Sequence, residues 1–177
     1  MQEYTRLLER VSKLSQKEIN RMFSTALISN NIIAIELAII LGADVTYEHN
    51  RVVWWAAENG YMNILRLATE AGADITICKN RALRRAARHG YDEAVKFLID
   101  NGADVTAKNN EAVRDASENG HLKVVKLLHA AGADVTANNN EAIRSANENG
   151  YPRVVQFLEK AGATLPSKPT SILSRKS

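Results

Sequence analysis

The sequence predicts an all-α solenoid of short helix–turn–helix units stacked side by side. Three observations carry that expectation. All nine glycines fall on two series with a step of 30: Gly42, Gly72, Gly102, Gly132 and Gly162, and Gly60, Gly90, Gly120 and Gly150. Alanine and asparagine keep the same step, at Ala26, Ala56, Ala86, Ala116 and Ala146 and at Asn20, Asn50, Asn80, Asn110 and Asn140. Between the glycines, apolar residues recur at helical spacing, as in Leu122, Val124, Val125, Leu127 and Leu128. A unit this small cannot bury its own apolar face, so neighbouring units must bury it for one another.

The elements follow in order. Residues 1–20 read as an N-terminal capping half-repeat, because Leu7-Leu8 align with Leu127-Leu128 of a second helix. Ser15 and Glu18 have the spacing of a capping box for the first full pair. Residues 21–162 hold about five helix pairs. The asparagine column is expected to cap the first helix of each pair, accepting a hydrogen bond from an orphan N–H of that helix. Glu111 and Glu141, one residue later, suit the positive end of the helix dipole. Glu58-Asn59-Gly60 should end a first helix, with glycine in the left-handed conformation. Asn30 stands where that glycine would be and is the next-best residue for it. The small alanines let adjacent first helices approach, and the Leu and Val of second helices fill the seam. Residues 163–177 read as a flexible basic tail, rich in Ser, Lys, Pro and Thr.

Composition excludes several classes. No apolar run reaches the roughly 18 residues that span a bilayer, since Glu36 breaks the longest. Charged residues run through the first positions, so no signal peptide is expected. A single cysteine, Cys78, cannot form an intrachain disulfide, which fits a cytoplasmic setting. The chain has 23 basic and 20 acidic residues, a net charge of +3. Its last fifteen residues hold Lys168, Arg175 and Lys176 and no acid, so residues 1–162 are neutral. A neutral array lacks the general phosphate-binding footprint and argues against nucleic acid as the partner. The four histidines have no zinc spacing, and no phosphate loop or nucleophile elbow occurs. No catalytic residue, metal or cofactor is therefore expected.

Gly120-His121-Leu122-Lys123-Val124-Val125-Lys126-Leu127-Leu128, followed by Gly132-Ala133-Asp134-Val135, resembles the second half of an ankyrin repeat. Glu58-Asn59-Gly60-Tyr61 and Glu118-Asn119-Gly120-His121 resemble that family's inter-helix turn. The step of 30 falls short of the family's period of about 33. The missing residues lie after the Asp-Val-Thr run, where the family carries a projecting β-hairpin finger. Short blunt fingers are the expected result. In their shortened, Asn-rich style the repeats resemble ankyrin arrays of giant DNA viruses, which would place the protein in a host cytoplasm. The resemblance implies a non-enzymatic protein–protein interaction scaffold (adaptor, decoy or inhibitor) that docks partners on its concave face.

One stretch of that face concentrates charge. Lys79, Arg81, Arg84, Arg85, Arg88 and His89 contain no acid among them, and Trp54 and Trp55 lie one repeat away, with Arg114 one repeat beyond. Trp and Arg are enriched at interface hot spots, and arginine can hold carboxylates in a fork. These nine residues are the candidate site for an acidic or acidic-aromatic protein segment. The structural alternative is that one tryptophan is core and the arginines pair with Glu58, Glu111 and Glu118 of adjoining repeats. The functional alternative is nucleic-acid binding through the Lys79–His89 strip and the basic tail. Oligomeric state is not readable from the sequence.

Overall fold

A capping box opens the first helix. Ser15 N–H donates to Glu18 Oε2 at 2.8 Å, and the Glu18 N–H donates to Ser15 Oγ at 3.4 Å, as their spacing predicted. The computed structural model describes residues 11 and 13–165. Most of the expected half-repeat at 1–20, and all but three residues of the expected tail, lie outside the described residues. Among the described residues there are ten helices and no strands. The first helices of the pairs are α1 (Gln16–Ile28), α3 (Tyr47–Asn59), α5 (Ile77–His89), α7 (Ala107–Glu118) and α9 (Ala137–Glu148). The second helices are α2 (Ile32–Ile40), α4 (Met62–Glu70), α6 (Asp92–Asp100), α8 (Leu122–Ala130) and α10 (Pro152–Lys160). Because α1 starts at Gln16, the first full pair begins before residue 21.

Packing follows the step of 30. Helix α3 lies on α5, α5 on α7 and α7 on α9, while α2, α4, α6, α8 and α10 form a second row, each touching the next. Ala56, Ala86, Ala116 and Ala146 are fully buried between first helices, so the alanine column does set their close approach. Leu65, Leu98, Leu128 and Leu158 fill the seam with Val95, Val125 and Val154. One continuous core results, and every unit contributes a slice of it.

The inter-helix glycines do two jobs. Gly90 and Gly120 take φ of +77° and +76° and end α5 and α7. A Cβ on Gly90 would lie 2.5 Å from His121 Nδ1, and one on Gly120 would lie 2.5 Å from the Tyr151 ring. The aromatic residue of the next repeat is thus seated on the bare backbone of the turn. The His121 ring also reaches back through Nε2 to the Arg88 carbonyl at 3.0 Å. Asn30 takes φ +52°, the left-handed role expected of it.

The asparagine column overturns its sequence reading. These residues are not N-caps of their own helices. Glu48-His49-Asn50, Cys78-Lys79-Asn80, Lys108-Asn109-Asn110 and Asn138-Asn139-Asn140 each form a left-handed turn, with φ of 47–61° and ψ of 36–52°. Only after it does the right-handed helix run on. Such a turn costs an ordinary L-residue on the order of 1–2 kcal/mol, and asparagine is the side chain that tolerates it best. The last residue of every triplet is asparagine, the final triplet is all asparagine, and no β-branched residue occurs in any of them.

The asparagine side chain then bonds forward to the next repeat. Asn50 Oδ1 accepts from the Asp74 N–H at 2.8 Å, Asn80 from Asp104 at 2.9 Å, Asn110 from Asp134 at 2.8 Å and Asn140 from Thr164 at 3.0 Å. Asn20, inside α1, accepts from Asp44 in the same way at 2.9 Å. Each aspartate that donates its N–H also accepts, through its carboxylate, the N–H and hydroxyl of the threonine two residues on, as Asp134 does from Thr136 at 2.8 and 2.7 Å. The blunt finger is therefore a left-handed turn, stapled across the repeat boundary.

Candidate functional site

The first helices carry the candidate side chains, and the helical spacing decides which face they share. On α5, Arg81, Arg85 and Arg88 lie at i, i+4 and i+7 and form one stripe, with Arg84 beside it. They line a groove of about 360 Å³ between α5 and α7. Lys108, Glu111 and Asp115 supply the opposite wall, and Cys78 borders it. The lining thus has five cations against two carboxylates.

The arginines are not equivalent. Arg84 is a clamp for its own turn: its Nε donates to the Lys79 carbonyl at 3.2 Å and its Nη2 to the Cys78 carbonyl at 3.3 Å. Its other edge pairs with Glu111 of the next repeat, and the side chain is only 12% exposed. Arg114 repeats the arrangement, donating to the Lys108 carbonyl at 3.4 Å and pairing with Glu141. Arg85 reaches back to Glu58 at 3.1 Å, and His89 Nε2 lies 3.8 Å from the same carboxylate. His89 also stacks on Tyr91, with ring centroids 6.2 Å apart. Arg84, Arg114, Arg85 and His89 are thereby engaged within the scaffold, largely through the carboxylates named as the structural alternative. Glu118 pairs with none of them.

Trp55 leaves the candidate site. It is 8% exposed, donates its Nε1–H to Asn30 Oδ1 at 3.1 Å and packs on Tyr61, so it presents no surface to a partner. It lies on the helix face that meets the preceding repeat. Its neighbour Trp54 lies half-buried on the other side, and the Arg81 guanidinium covers its ring at 3.9 Å from the centroid. Arg88 and Lys79 are exposed, and among the described residues neither side chain has an ion-pair or hydrogen-bond partner. Arg81, Arg88 and Lys79 are therefore the cations with capacity to spare.

Cys78, Lys108, Glu111 and Asp115 line the groove although sequence reasoning left them out of the site, and Asp115 is the one whose carboxyl the groove alters. Burial pushes its carboxyl above the usual range, Glu111 adds to this, and Arg88 pulls the other way. Its position one step of 30 from Arg85 was legible in the sequence, but the packing of α7 on α5 that brings it near Arg88 was not.

With this geometry in place, the repeat can be compared with known ones. The family described as ankyrin repeats in three copies matches residues 22–109, and the single ankyrin repeat matches residues 112–140. The chain is an ankyrin-repeat protein. The search of curated proteins found no match to the chain.

Ankyrin repeats generally mediate protein–protein interaction and are typically non-enzymatic scaffolds. In this ankyrin array the finger hairpin is replaced by the left-handed turn, and arginines fold over three of the four turns, as Arg144 does onto the Asn138 carbonyl at 3.4 Å. Among the described residues, no helix is long and apolar enough to cross a membrane.

Proposed function

We propose that this ankyrin array is an adaptor, decoy or inhibitor that binds an acidic segment of another protein in the groove between α5 and α7. The observation that carries the reading is the uneven neutralisation of the groove. Arg84, Arg85 and Arg114 are matched by carboxylates of adjoining repeats, whereas Arg81, Arg88 and Lys79 are not. A neutral array that leaves Arg81 and Arg88 free on the α5 wall, with Lys79 exposed on the left-handed turn at the start of α5, offers complementarity to negative charge. Trp54, beside them, suits an aromatic residue next to the acids. A cytoplasmic setting fits the single exposed cysteine, Cys78.

Reversing Arg84 or Arg85 would be a poor test, because each reversal sets two carboxylates together and disturbs the scaffold. Lys79→Gln with Arg88→Gln spares every ion pair of the array and sets no new carboxylate beside Asp115. Affinity capture followed by mass spectrometry should recover acidic partners with the wild type, and the double variant should lose them at unchanged thermal stability. Retention of the same partners by the double variant would refute the groove. Capture dominated by nucleic acid, with a steep fall of binding in salt, would favour the alternative reading.

A further inference from the structure

Three repeat junctions can be compared position by position. One residue on a first helix reaches forward to the residue 27 positions later on the next. At two junctions an arginine meets a glutamate, Arg84 with Glu111 and Arg114 with Glu141. At the junction before them the chemistry is inverted, because Trp54 occupies the arginine position and Arg81 the glutamate position. The guanidinium lies over the ring at 3.9 Å from its centroid, in place of an ion pair.

This exchange has a chemical consequence. The arginine–glutamate junctions neutralise themselves. The Trp54–Arg81 junction does not, since an indole ring carries no negative charge to set against the guanidinium. The five N–H donors lie in the guanidinium plane, and 3.9 Å from carbon to ring centroid is the spacing of a stacked pair. Among the described residues, none of them meets an acceptor, and none is buried from solvent. The side chain is held in one orientation with its donor edge open, so less freedom is lost when an anion arrives.

We propose that Arg81, laid on Trp54, is an oxyanion fork that takes a carboxylate of the partner in bidentate fashion, with Arg88 two helical turns along the same stripe as its second point of charge. The assignment rests on the reading of the groove as a protein-binding surface. A carboxylate fits better than a phosphate dianion, because Glu111 and Asp115 line the same groove and repel a double charge more strongly. Arg85, between these two, is tied to Glu58, and the helix they share fixes the spacing of Arg81 and Arg88.

The test uses the full chain and a capped hexaglutamate peptide, followed by titration calorimetry. Arg81→Lys keeps the charge but loses the fork, and should weaken binding on the order of tenfold. Trp54→Leu keeps apolar bulk but frees the guanidinium, and should weaken it by about three- to tenfold. Arg81→Gln serves as the second variant, with circular dichroism melts confirming that all three fold. Wild-type affinity in Arg81→Lys, while Lys79→Gln with Arg88→Gln loses the peptide, would overturn the fork and leave the groove standing. No binding by the wild type would overturn both. Competition by inorganic phosphate at matched ionic strength would overturn the assignment to carboxylate.

Discussion

Asn110 separates two accounts of the asparagine column. If it were an ordinary N-cap, Asn110→Gly would cost only a few tenths of a kcal/mol, and Asn110→Ala about 1 kcal/mol. The structure gives different numbers. Asn110 is buried, takes φ +61°, and holds the part-buried N–H of Asp134 at 2.8 Å. Removing its side chain leaves that donor without a partner, which costs about 1–3 kcal/mol. Alanine adds the penalty of a left-handed β-carbon, about 1 kcal/mol beyond asparagine. The expected losses are therefore about 1–3 kcal/mol for Asn110→Gly and about 2–4 kcal/mol for Asn110→Ala. Urea unfolding followed at 222 nm would read both from the shift in midpoint. A change in slope would show the C-terminal pair melting apart from the rest, as expected when a nearest-neighbour term is weakened. A loss below about 0.5 kcal/mol for Asn110→Gly would refute the inter-repeat staple and restore the N-cap.

Three further outcomes are expected. Gly120→Ala should destabilise more than Gly132→Ala: both carry positive φ, but the first drives a methyl group into the Tyr151 ring whereas the second meets nothing within 4 Å. The backbone share is about 1–2 kcal/mol in each, so thermal melts of the pair isolate the ring contact. His49→Gly should stabilise by up to about 1 kcal/mol, because His49 sits at φ +56° and its side chain makes no described contact, and an unchanged or lower melting temperature would argue against the left-handed turn. In acid, the Thr136 hydroxyl and then the Thr136 N–H hold the Asp134 carboxyl below its usual range, and Thr106 does the same for Asp104. Depressed folded values mean stability that is full above the usual carboxylate range and is lost as pH falls through the lowered values. The double variant Thr106→Val with Thr136→Val should flatten that acid limb in a series of melts, and an unaltered limb would count against the carboxylate–threonine turn.

The stacking, the number of pairs and the helix ends were legible in the sequence, because each follows from a local rule repeated at a fixed step. Glycine and Asn30 mark left-handed ends by backbone sterics alone, Ser15 and Glu18 cap by their spacing, and alanine marks close approach by its size. A residue's preference does not say which of two satisfying geometries its neighbours will impose. Asparagine suits both an N-cap and a left-handed turn, and only the arrival of the next repeat's N–H, 24 residues later, selects the second. Trp54 and Trp55 are adjacent and chemically identical, yet successive positions on a helix point about 100° apart, so one enters the core and the other carries Arg81. The charge of the basic strip could be counted from the sequence, but which arginines stay free depended on carboxylates brought from adjoining repeats. That pairing is a property of the stacked array, since Coulomb attraction falls with distance in space and takes no account of distance along the chain.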